Sequence, residues 1–233
     1  MTERTARTPR ADENTGMVRV WDPFVRTFHW TVVVFFFVAT FTEDDLLTLH
    51  VWAGYTVGVF VVMRILWGFV GPRYARFSDL VYRPAKVRAY LVALAAFRAK
   101  RHLGHSPAGG AMAVALLVGL LATVWTGLEL YAAEENAGPL AAVSAPGEVA
   151  PAARPRLLVR VGEDEDKGEE RDEGRRGSRD GAGGEFWEGL HETLANLTLV
   201  LVVFHVGGVV LTSLAHRENL VRAMVTGRKR AED

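Results

Sequence analysis

Four histidines of this chain stand in stretches that otherwise suit lipid: His29, His50, His191 and His205. An imidazole in hydrocarbon is costly, and residues of that kind in such places hold or carry something. The stretch LHETLANLTLVLVVFHVGG contains two of them, His191 and His205, fourteen positions apart. On a helix that interval is about 21 Å of rise, and it leaves the two rings within about 40° of one face. Neutral imidazole is a metal ligand, yet no single ion reaches both rings. Two separate sites are implied, each needing a second ligand from another segment.

The segments that could supply those ligands are apolar blocks. Phe28–Phe41, Leu46–Met63, Gly104–Leu128 and Thr193–Ala215 contain no charged residue. A bilayer core takes about 20 apolar residues as a helix, fewer when flanking side chains snorkel. The last two blocks reach that length. The second does so when ILWGFVG continues it past Arg64, and the first when Pro23–Thr27 belongs to it with Arg26 reaching to the headgroups. Four spans follow. A cleaved signal peptide is the rival for the first, but ATFTEDD lacks a small-x-small cleavage site. Arginine and lysine crowd the N-terminal segment (Arg4, Arg7, Arg10, Arg19, Arg26), the connection between spans two and three, and the C-terminal tail, whereas TEDD between spans one and two is purely acidic. Both termini are therefore expected in the cytoplasm, with the chain a multi-pass membrane protein.

Depth then pairs the histidines. Span four enters from outside, so His191 is its outer ligand and His205 its inner one. Span one puts His29 at inner depth and span two puts His50 at outer depth. The pairs are His50 with His191 and His29 with His205. Each needs a guest that accepts two imidazoles across several ångströms between helices, and haem b is such a guest. The chain has no cysteine, which removes disulfides, thiolate-bound haem, cysteine-ligated clusters and covalent c-type haem. Gly54 and Gly58 clear room one and two turns beyond His50, and Gly207 and Gly208 follow His205. Arg64 repeats the fourteen-residue interval from His50. It either meets a haem propionate at inner depth or snorkels to the surface. Glu188 and Glu192 at the outer site and Arg26 at the inner one are further neighbours, or ordinary headgroup-level charges. His102 and His216 read as solvated, and His105 in GHSPAGG reads as part of the turn into span three.

The remaining chain divides around this domain. Residues 1–17 are expected to be a disordered cytoplasmic terminus, 18–224 a four-span dihaem domain, and 225–233 a basic cytoplasmic tail. Within the domain, Lys86–Phe97 has an amphipathic pattern, with Val87, Tyr90, Leu91 and Leu94 on one side, suited to a membrane surface. The outer loop 134–185 is small, proline-rich and then dense in charge, and is expected to be mostly disordered, with RLLVRV a short strand or docking segment inside it. Lysine plus arginine and aspartate plus glutamate both number 27, so no basic excess points to nucleic acid.

VWDPFVRTFHW, LHVWAGY, RILWGFVGPRYARF, GHSPAGG and LHETLAN…FHVGG together resemble the bacterial cytochrome b561 and nickel–iron hydrogenase cytochrome b family, from about Val18 to Met224 apart from the outer loop. The resemblance implies an all-α membrane four-helix bundle with two b-haems, whose axial ligands fall on His29, His50, His191 and His205. It also implies electron exchange with quinone or with redox partners such as a periplasmic c-type cytochrome or a hydrogenase small subunit. The expected function is electron transfer in a respiratory chain, as a carrier or subunit rather than a self-contained enzyme, with no catalytic residue assigned. The alternatives are a quinone oxidoreductase acting on a small reductant such as superoxide, for which Asn196, Thr198 and Glu129 are scattered polar candidates, and a transporter or zinc site. The latter lacks the clustered carboxylates and broken helices such sites have.

Overall fold

The computed structural model describes residues 16–42, 46–141 and 169–231, with the backbone alone for 169–182. Six α-helices lie among them: α1 (Pro23–Phe41), α2 (Leu47–Val70), α3 (Pro84–Ala95), α4 (Pro107–Glu135), α5 (Glu169–His216) and α6 (Leu220–Thr226). Four are long and apolar enough to cross a membrane: α1, α2, α4 and the Gly183–His216 part of α5. The fold is thus mostly helical, as expected. Two compact units share these helices. One comprises residues up to 121 together with those from 197 onward; the other comprises 122–196.

Local chemistry sets the ends. Asp22 caps α1 by accepting a hydrogen bond from the Val25 amide at 3.0 Å, and Pro23 follows with its backbone preset for a first turn. Residues 23–27 therefore do belong to the first span. Helix α2 runs through Arg64 to Val70, and the Gly71 amide closes it on the Trp67 carbonyl at 2.8 Å. Ser106 caps α4 by accepting from the Gly109 amide at 3.1 Å, as the turn in GHSPAGG predicts. Helix α3 spans Pro84–Ala95 rather than Lys86–Phe97, because Pro84 starts it and Phe97 adopts a left-handed φ of 54°. It buries Tyr90 and Leu94, whereas Leu91 is 50% exposed.

Two expectations are corrected. The charged loop does not stay irregular to residue 185: α5 begins at Glu169. Propagating a helix already nucleated in an apolar span costs far less than starting one, so charged residues can extend it. Residues 142–168, including RLLVRV, lie outside the described residues. The chain ends also carry structure. Strand β1 (Met17–Arg19) pairs antiparallel with β2 (Arg228–Arg230), in the register Met17 to Arg230, Val18 to Lys229 and Arg19 to Arg228. Met17, expected in the N-terminal tail, is thus in a strand, and so is part of the C-terminal tail.

Gly227 joins α6 to β2 at φ 77°, a left-handed conformation that closes the helix through its amide on the Ala223 carbonyl at 2.8 Å. Its own carbonyl accepts from the amides of Val20 and Trp21 at 2.9 and 3.2 Å. Beneath this ribbon Val20, Trp21, Val25 and Ala75 form a core, with Trp67, Tyr74, Leu103 and Met224 packed against it. Lys229 is buried there. It lies 4.0 Å from Glu218 and 5.9 Å from the Trp21 ring centroid, and it donates to the His102 carbonyl at 3.3 Å. Burial alone would raise the Glu218 pKa, but the Arg101 hydrogen bond and the charges of Lys229 and Arg101 outweigh it and hold that pKa below its ordinary value.

Candidate functional site

Within the first unit, α1 and α5 bring His29 and His205 face to face. Their ring centroids are 6.4 Å apart with the planes inclined at 55°. At metal–nitrogen bonds of about 2.0 Å, two imidazoles on opposite sides of one ion have centroids roughly 6.3 Å apart. The observed separation is close to that value. Nδ1 of His29 is buried with no hydrogen-bond partner among the described residues, and the ring is packed edge-on against Trp30 at 5.2 Å.

His50 sits on the first turn of α2. Its Nδ1 is 3.0 Å from the carbonyl of Ala39, in the last turn of α1. That carbonyl also accepts from the Thr42 amide at 3.2 Å, and a carbonyl only accepts, so Nδ1 carries the proton. The lone pair is then on Nε2, the tautomer suited to a metal. His191 repeats this arrangement in the second unit, with its Nδ1 3.0 Å from the Thr123 carbonyl of α4. A β-carbon built on Gly54 would meet nothing within 4 Å, and the same holds for Gly207 and Gly208. These three glycines therefore border open space.

Arg64 is buried, 6% exposed, and is not at the surface as snorkelling would require. Its guanidinium carbon lies 5.7 Å from the Phe77 ring centroid, and Nη1 has no hydrogen-bond partner among the described residues. His105, read from sequence only as part of a turn, lies in the same unit. Its ring meets Trp21 edge-on at 4.6 Å, its carbonyl accepts from the Tyr82 hydroxyl at 3.1 Å, and its Nδ1 is buried without a partner. Burial pushes its pKa down to about 3, helped by the positive charges of Arg64 and Lys229. Nε of Arg26 is also buried and unpartnered, although its Nη2 donates to the Val225 carbonyl. An acceptor-rich anion suits such donors.

Other candidates fare differently. Glu188 and Glu192 are exposed, as headgroup-level charges are. Thr198 is fully buried at 0% exposure, where a β-carbon on Gly119 would come within 2.9 Å of its hydroxyl. That makes it a helix-packing residue. Asn196 is exposed and Glu129 half-buried. His216 is partly exposed, with its Nε2 buried. His102 is half-buried, with Nδ1 2.9 Å from the Lys100 carbonyl.

Among the described residues no group of three or more His, Asp or Glu converges as a metal shell. A pair of imidazoles therefore suits a guest that brings its own equatorial donors, as a tetrapyrrole does. Four apolar helices long enough to cross a membrane, three of them carrying such histidines in a chain without cysteine, fit a membrane protein that holds haem without a covalent link. A family model described as prokaryotic cytochrome b561 matches residues 20–227, and the chain belongs to that family. No curated protein and no solved structure is significantly similar to it. Membership makes it a multi-pass prokaryotic membrane cytochrome of electron transport that binds haem b.

Proposed function

We propose that the chain is a dihaem cytochrome b that relays electrons between the quinone pool and a periplasmic or membrane-bound redox partner. The observation that carries this reading is the 6.4 Å separation of the His29 and His205 rings. In it His29 and His205 hold one haem and His50 and His191 the other, with the Ala39 and Thr123 carbonyls fixing the tautomers of the second pair. Arg64 meets a propionate, the anion that its unpartnered Nη1 lacks. Bound haem supplies a one-electron couple, and two histidines per iron leave no open coordination position, which favours outer-sphere transfer over oxygen chemistry. The chain's own part is to hold the rings at fixed separation and to set positive charge beside acid groups.

Residues 18–224 act as the dihaem domain in this reading. Both termini are cytoplasmic, because arginine and lysine crowd both ends and the connection between the second and third spans. The setting is then a bacterial inner membrane, and the redox partner a periplasmic c-type cytochrome or a hydrogenase small subunit. The test is a pyridine haemochromogen assay with reduced-minus-oxidised spectra on purified wild type, His191→Ala and His29→Ala. Two b-haems in wild type, with a different one lost in each variant, are expected. A single haem lost in both variants would refute the pairing.

A further inference from the structure

We propose that Thr126 and Gly127 of α4 are positioning residues for His191 and that together they tune the reduction potential of the haem this histidine holds, an inference that rests on the dihaem reading. Thr126 is 4% exposed, and its Oγ1 lies 3.1 Å from the carbonyls of both Ala122 and Thr123. The hydroxyl proton is thus directed into its own helix, as buried helical threonines do. The oxygen remains an acceptor, and it lies 3.2 Å from Nδ1 of His191. That same nitrogen is 3.0 Å from the Thr123 carbonyl, which cannot donate. One Nδ1–H is therefore shared between two acceptors, one of them a backbone atom that no substitution removes.

Gly127 supplies the room. A β-carbon there would lie 2.9 Å from Cε1 of His191 and 3.2 Å from Nδ1. The ring lies against bare backbone, and any side chain at 127 would lift it from its two acceptors. The adjacent residues divide the task. Gly127 sets how closely the imidazole approaches α4, and Thr126 sets how strongly its Nδ1–H is drawn.

Drawing that proton toward acceptors makes the ring a more basic ligand and favours the oxidised metal. Loss of one acceptor should therefore raise the potential. A shift of threefold to tenfold in the oxidation equilibrium is a rise of about 28 to 59 mV, at 59 mV per tenfold for one electron. Thr126→Ser keeps the hydroxyl and should leave the potential at its wild-type value. Gly127→Ala should alter the low-spin electron paramagnetic resonance signal of the same haem by moving the ring.

The experiment is redox potentiometry, with low-temperature resonance spectra, on purified holoprotein: wild type, Thr126→Val, Thr126→Ser, Gly127→Ala and His191→Ala. The expected result is one raised potential in Thr126→Val, at the haem that His191→Ala loses, with the wild-type value in Thr126→Ser. A change below twofold in Thr126→Val, an equal change in Thr126→Ser, or a shift confined to the other haem would overturn the proposal. Should Thr126→Val shed the haem, its retention in Thr126→Ser supports the hydroxyl's role and its loss in both overturns it. Fewer than two haems in wild type would defeat the dihaem reading itself, and that is seen before any variant is compared.

Discussion

Arg64→Met should change stability in opposite directions with and without haem. Arg64 is 6% exposed and its Nη1 has no partner. Among the described residues no carboxylate forms an ion pair with it. The compensations in view are the Phe77 ring at 5.7 Å, worth about 0.5–2 kcal/mol, and the negative charge of Asp22 beyond ion-pair distance. An unpaired buried charge costs several kcal/mol, and replacing buried ionic groups by apolar side chains of similar volume is often stabilising by about 1–4 kcal/mol. Methionine fills much of the same space without charge, so the haem-free protein should gain about that amount. With haem the sign reverses. A charge-assisted hydrogen bond is worth about 1.5–3 kcal/mol, so losing it should weaken haem binding roughly 10- to 150-fold. The assays are denaturant unfolding of haem-free protein in mixed micelles and haem titration of the same preparations, with Arg64→Lys retaining the charge as control. Destabilisation of the haem-free protein by Arg64→Met, or unchanged haem affinity, would refute the assignment of an anion to Arg64.

Glu218 holds two cations: its oxygens lie 2.9 and 3.3 Å from Arg101 and 4.0 Å from Lys229. Glu218→Gln leaves both with carbonyl partners but no counter-charge and should cost about 3–5 kcal/mol at neutral pH. Because the Glu218 pKa is lowered, its contribution is present above the unfolded value, about 4.3, and is lost as pH falls through the folded one. The gap between wild type and variant in unfolding free energy should therefore narrow in acid. His105 behaves differently. Its pKa falls from 6.5 to about 3, so between those limits the unfolded chain binds a proton that the native chain does not. Stability should fall as pH drops below about 6.5, with a slope approaching roughly 1.4 kcal/mol per pH unit. His105→Phe, which keeps an edge against Trp21, should remove that part of the acid sensitivity in unfolding measured across pH.

The four spans and the approach of His29 to His205 were legible because both rest on local properties. A span is announced by length and lack of charge, and a fourteen-residue interval fixes a shared face before any packing is known. Asp22–Pro23 likewise names its own helix start. The helix ends beyond the membrane were less legible. Hydropathy marks where lipid contact stops, whereas backbone hydrogen bonding continues through Glu129 to Glu135 in α4 and begins at Glu169 in α5. Thr126 was invisible for another reason. VWTGLEL shows a threonine and a glycine in an apolar run, and nothing in it says that an imidazole from α5, 65 residues later, lies against them.

The ribbon at the chain ends shows the limit most clearly, since its local signals point the wrong way. RKR at 228–230 has the composition of a solvated tail, and Arg19 stands directly opposite Arg228, a like-charge pair that disfavours pairing. What overrides this is alternation along a strand. With Arg228 and Arg230 outward, Lys229 must point inward with Val18, and both are buried at 6% exposure. An inward lysine is tolerable only where something receives its charge, and the Glu218 carboxylate, the His102 carbonyl and the Trp21 ring do so. Those three come from separate segments of the chain. The strand is therefore a consequence of tertiary structure, formed because the receiving groups already stand where Lys229 can reach them.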